Sequence, residues 1–81
     1  MTPEAARTVV LEALRQVAPE ADPAILDPRV ELREQLDVDS MDFLNFIIGL
    51  HEATGVDIPE ADYPEMETLE RCVEYLVRHT K

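Results

Sequence analysis

Over the first eighteen positions apolar residues recur at three- and four-residue steps, through Ala6, Val9, Val10, Ala13, Leu14 and Val17. That spacing predicts an amphipathic helix over about 3 to 18, capped by Thr2, with Pro3 at its first position and Glu4 in its first turn. Pro19, Pro23 and Pro28 then break the pattern, and a connection runs on to Leu36. Within it, Asp22 and Pro23 can start a single helical turn carrying Ile25 and Leu26. Connections this long are uncommon in a small domain. Here Ile25, Leu26, Val30, Leu32 and Leu36 supply anchors to a core, whereas a free linker would be polar and rich in Gly and Ser. The connection is expected to be ordered.

Helical spacing returns from Asp39-Ser40 to about Thr54, with Gly55 placed as a left-handed stop. Phe43, Phe46, Ile47 and Leu50 form one apolar face, which should meet the core. Met41, Leu44 and Ile48 form a second stripe beside it, and spacing alone leaves open whether that stripe is more core or an exposed docking surface. Val56 and Ile58 follow in an extended segment that turns both side chains inward before Pro59, and residues 60 to 66 allow only a short turn. Thr68 then caps a last helix whose Leu69, Cys72, Val73, Leu76 and Val77 keep helical spacing. Arg78, His79 and Lys81 put positive charge where a helix C-terminus favours it. No strand pattern and no repeat interrupts this order. The expected fold is an all-α antiparallel four-helix bundle, three main helices plus one short, with a long first loop.

Eighty-one residues suffice for one domain, 1–81, and are too few for two cores. With 46% apolar and 5% aromatic residues and no Trp, the core must be mainly aliphatic, which in a short chain favours helices. No apolar run approaches a membrane span, and the first residues lack the basic start and apolar middle of a secretory signal, so the expected compartment is cytoplasmic. Cys72 is the single cysteine, which rules out an internal disulfide or a clustered-thiol zinc site. Net charge is −11, and residues 34 to 70 carry eleven acids with no Lys or Arg, while the remainder balances at seven acids and seven bases. Such a block repels nucleic acid and anionic lipid and steers a partner with a basic patch toward it. Millimolar divalent cations should screen it.

Candidate chemistry narrows quickly. A calcium loop begun at Asp37 would put Met41 at its fifth position, Asp42 where Gly is needed and Ile48 where Glu is needed, so that reading fails. A hydrolase built on Ser40 needs a base, yet His51 lies eleven residues along the same helix, roughly 16 Å away. Cys72 belongs to an apolar stripe, as an inert core thiol would. His51 and His79 have no paired ligand spacing and read as surface residues. No metal site and no catalytic group emerge. What remains is Ser40 at a helix start inside the acidic block, where Asp39 can cap the helix.

The stretch Leu36-Asp37-Val38-Asp39-Ser40-Met41, the apolar helix after it and Gly55-Val56-Asp57-Ile58-Pro59 together resemble the acyl carrier protein family, and the likeness extends over nearly the whole chain. The resemblance implies a carrier with no catalysis of its own, in which Ser40 bears 4'-phosphopantetheine taken from coenzyme A by a phosphopantetheinyl transferase. An acyl or aminoacyl cargo would ride on that arm as a thioester, supplied by a loading ligase and used by downstream acyl-transfer enzymes. It further implies a monomer whose partner surface centres on the second helix, with Met41, Asp42, Leu44, Ile48 and Glu52 as candidates.

The sequence departs from the family at four positions. Asp37 stands where Gly is frequent, Met41 where Leu is, and Asn45 and His51 where acids are. With Phe43 and Phe46 added, the docking face should be more apolar and its partners specialised, for a lipid, polyketide or secondary-metabolite pathway. Gly49 in a helix interior costs about 0.8–1 kcal/mol relative to Ala. It would either let another helix approach closely or leave room for a cargo chain in the bundle, and Ala53 points the same way. The competing reading is an unmodified acidic adaptor that binds a protein through the second helix.

Overall fold

A computed structural model describes residues 1–80, so the charge of Lys81 lies outside the described residues. Helix α1 spans Pro3–Val17, where Thr2 Oγ1 accepts from Ala5 N at 3.1 Å, as the capping sequence dictates. Helix α2 is a single turn, Leu32–Gln35, inside the long connection. Helix α3 spans Ser40–Thr54 and ends at Gly55, whose φ of 75° lies in the left-handed region that glycine enters without penalty. A 3-10 helix follows at Glu60–Met66, and α4 spans Leu69–His79 with Thr68 Oγ1 accepting from Arg71 N at 3.1 Å.

Helices α3 and α4 both pack on α1, and the 3-10 helix packs on α4. Between them lies a core in which Val10, Phe46, Leu50, Met66, Leu69, Tyr75 and Leu76 are almost wholly removed from water. Burying a side chain of this size contributes about 1.5–3 kcal/mol, which offsets the cost of ordering so short a chain. Val56 is buried and Ile58 half-buried, both inward as expected. Cys72 is buried too, and desolvation pushes its thiol up to about 12.

The long connection is ordered, by a different division of labour from the one its sequence suggests. Leu26 and Leu32 are buried, but Ile25 is 81% exposed and anchors nothing. The turn at Asp22 forms, with Leu26 N donating to Asp22 O, and it faces Ile25 outward. The holding role passes to Gln35. Its side-chain oxygen accepts from Asp27 N at 2.9 Å, and its Nε2 donates to Asp27 O and Val30 O at 2.7 and 3.0 Å. Leu32 N to Glu67 O and Glu70 N to Pro28 O then tie the connection to the start of α4.

Residues 60 to 66 make a seven-residue 3-10 helix where only a short turn was expected. The reason is tertiary, since α4 fastens it from outside. Tyr75 OH donates to Asp62 Oδ2 at 2.8 Å, Arg78 pairs with Glu65 at 2.7 Å, and the Cys72 thiol donates to Met66 O at 3.2 Å. Those partners lie six to thirteen residues downstream, beyond the reach of local pattern.

Candidate functional site

Ser40 is the first residue of α3, and the sequence around it determines its setting. Asp39 is the N-cap: its Oδ1 accepts from Asp42 N at 2.8 Å, and Asp42 Oδ2 accepts from Asp39 N at 3.4 Å, closing a capping box. A cap of this kind is worth about 1 kcal/mol and fixes where the helix begins. The Ser40 side chain is thereby held on the first turn, exposed. Amide groups in a first turn lack helical acceptors and carry the positive end of the helix dipole, which favours an anion by about 0.3–1 kcal/mol at an exposed site.

Ser40 lines an open groove of about 740 Å³. Its apolar wall comes from Val38, Phe43 and Leu44 on one side and Tyr63 and Pro64 on the other. Phe43 and Tyr63 meet edge to face, with ring centroids 6.2 Å apart and planes at 77°. Arg33 lies over Phe43 with its guanidinium carbon 6.0 Å from the ring centre, and Glu31, Glu34, Glu60 and Glu67 complete the rim.

Among the residues expected to meet partners, Met41, Leu44 and Ile48 are 64%, 36% and 45% exposed, so the second stripe of α3 faces solvent. Glu52 continues that strip, one turn beyond Ile48, and is exposed. Asp42 is half-buried and its carboxylate is engaged in the cap. Phe43, expected in the core with Phe46, Ile47 and Leu50, is half-buried and lines the groove, while the other three are buried, so Phe46 does not add to the docking face as its apolar character suggested.

His51 is exposed, as expected of a surface residue, and it also holds a loop in place. Its Nδ1 lies 2.8 Å from Val56 O and 3.6 Å from the Asp57 carboxylate, which fastens the segment after Gly55 back onto α3 at the end remote from Ser40. His79 rests on the ring of Tyr75 at 4.0 Å. Gly49 faces α1, where a methyl group added to it would meet Ala13 Cβ at 3.7 Å, an ordinary contact. The approach of the two helices therefore does not require glycine. Arg33 and Tyr63 carried no signal in the sequence, because each belongs to the site only through residues far along the chain.

These surroundings fit a phosphopantetheine group. The hydroxyl is exposed, no hydrogen bond to another described residue engages it, the first turn of α3 favours a phosphate, and Ser40 lines an open groove.

Comparison with known proteins agrees. The profile of the family described as a phosphopantetheine attachment site matches residues 8–76. An acyl carrier protein of Rubrobacter xylanophilus is 30% identical over 76 residues, covering 90% of this chain and 94% of that one. Acyl carrier protein 2 of Ralstonia nicotianae is 35% identical over 65 residues, covering 76% and 80%. An acyl carrier protein of Thermosynechococcus vestitus is 26% identical over 70 residues, covering 83% and 86%.

Proposed function

The chain belongs to the acyl carrier protein family, whose members work through a 4'-phosphopantetheine group, and from that premise we propose that Ser40 is the residue to which the group is attached. The observation that carries the reading is an exposed serine hydroxyl at the first position of a helix whose start is fixed by the Asp39–Asp42 box. When bound, the group supplies a thiol on a long flexible tether, which holds a cargo as a thioester and raises its effective concentration at a docked enzyme.

The chain's own residues do the rest. Ser40 offers the oxygen that attacks the pantetheine-bearing phosphate of coenzyme A; the pyrophosphate bond of coenzyme A breaks, adenosine 3',5'-bisphosphate leaves, and the serine proton passes to a base of the phosphopantetheinyl transferase. Asp39 and Asp42 hold the hydroxyl in place by fixing the first turn. The Met41, Leu44 and Ile48 strip, extended by Glu52, is the surface that the transferase, a loading ligase and acyl-transfer enzymes recognise, within an acidic field that draws basic partners. Asn45 and His51 make the middle of that helix less acidic, and the exposed apolar strip beside them supports a specialised partner set in place of a general fatty-acid role. The protein acts as a monomeric cytoplasmic carrier and leaves catalysis to its partners. Among the described residues no helix is long and apolar enough to cross a membrane.

The test is intact mass after incubation with coenzyme A and a promiscuous transferase. Wild-type protein should gain one phosphopantetheine and Ser40→Ala none. A wild-type mass that does not change, under conditions where a known carrier is modified, would leave the adaptor reading. Equal turnover by a standard fatty-acid ketosynthase and malonyl transferase would remove the specialised role and leave the carrier.

A further inference from the structure

We infer that Phe43 and Tyr63 determine the kind of cargo this carrier holds, selecting an uncharged aromatic acyl group laid in the groove beside Ser40 over a long alkyl chain drawn between the helices. The inference rests on Ser40 as the attachment point, since only a tether there delivers a cargo to this groove.

Phe43 projects from α3 and Tyr63 from the 3-10 helix, and their edge-to-face contact at 6.2 Å bridges the seam between the two elements. Behind it Phe43 meets Phe46 at 6.0 Å, and Phe46, Leu32 and Met66 are almost wholly buried. An alkyl chain passing through the seam must part the aromatic pair and then overpack a core already filled by those side chains. A flat ring in the groove does neither. It finds ring faces and edges on Phe43 and Tyr63, to which aromatic groups bind by offset or edge-to-face contact. Phe43 lies one helical turn from Ser40, so a tethered cargo starts beside it.

Charge narrows the class further. Four glutamates line the groove against the single guanidinium of Arg33, which already lies over Phe43. A cargo that ends in a carboxylate is repelled by that rim.

The test loads the apo protein, through a promiscuous transferase, with the acylated arm from benzoyl-, octanoyl- or malonyl-coenzyme A. Each product is confirmed by mass and compared with the unacylated holo protein by NMR and thermal melting. The benzoyl form should shift the ring signals of Phe43 and Tyr63 and raise the melting temperature, because a ligand that binds only the folded state stabilises it. The octanoyl form should leave the methyl signals of Leu32 and Met66 unmoved, and the malonyl form should leave the Phe43 and Tyr63 rings unmoved. In the double variant Phe43→Ala, Tyr63→Ala the benzoyl effect should vanish and octanoyl should move the core methyls.

Should that variant fail to fold, the wild-type spectra decide alone. Octanoyl shifting the Leu32 and Met66 methyls of the wild type, or stabilising it as much as benzoyl does, overturns the inference while Ser40 attachment stands. No arm accepted at all overturns both.

Discussion

Gly49→Ala should make this protein more stable without changing its loading. Gly49 is the tenth residue of α3, well inside the helix, where glycine costs about 0.5–1 kcal/mol relative to alanine because it gives up more backbone freedom on folding. Whether that gain is realised depends on what the new methyl meets. It would lie 3.7 Å from Ala13 Cβ on α1, close enough for attraction and too far for a clash. Gly49 is half-buried, so the methyl also removes some apolar surface from water, at most the roughly 0.8 kcal/mol of a fully buried methylene. The expected net gain is about 1 kcal/mol, or about 4–8 °C in melting temperature for a domain of this size.

Urea and thermal unfolding of the apo protein, followed by circular dichroism, measure it directly, and the denaturant slope should not change. An equal or lower melting temperature would refute the reasoning, because α1 and α3 would then approach more closely than a methyl allows. A stabilised variant that accepts the arm normally but loses stabilisation by a loaded cargo would show instead that the glycine serves the cargo.

Two further outcomes follow from buried ionisable groups. Cys72 is enclosed and its thiol is pushed up to about 12 by desolvation, so the native apo protein should react with no thiol reagent until it unfolds. The holo protein should then titrate one thiol, that of the arm, and two on denaturation; a reactive thiol in native Ser40→Ala would contradict this. Burial, then the hydrogen bond to Asp62 and the charges of Asp62 and Glu65, push the Tyr75 phenol from its ordinary value near 10 to about 12. Its share of stability is therefore complete below pH 10 and lost as pH rises toward 12, with the thiol adding a loss that begins near 9. Tyr75→Phe should melt lower than wild type at neutral pH and lose less on going from pH 10 to 12, and parallel pH curves for the two proteins would refute the assignment.

The three long helices follow from sequence alone, and so do their ends. Apolar residues at three- and four-residue steps define α1, α3 and α4, while Thr2, Asp39, Thr68 and Gly55 cap them through bonds that span only three or four residues. Ser40 was legible for the same reason, since its position at a helix start is a local property.

Facing is not local. Periodicity shows that Met41, Leu44 and Ile48 share a stripe, but α3 carries two apolar stripes, and only the placing of α1 decides which of them is covered. The same holds for Ile25, apolar and yet outward because Gln35 holds its loop by hydrogen bonds. The 3-10 helix exists because α4 fastens it through Tyr75, Cys72 and Arg78. The groove beside Ser40 joins Arg33, Phe43 and Tyr63, residues from three separate elements. A stripe is a property of one helix, readable from its own residues. A covered face or a groove belongs to two or more elements, and its free energy is settled only when they meet.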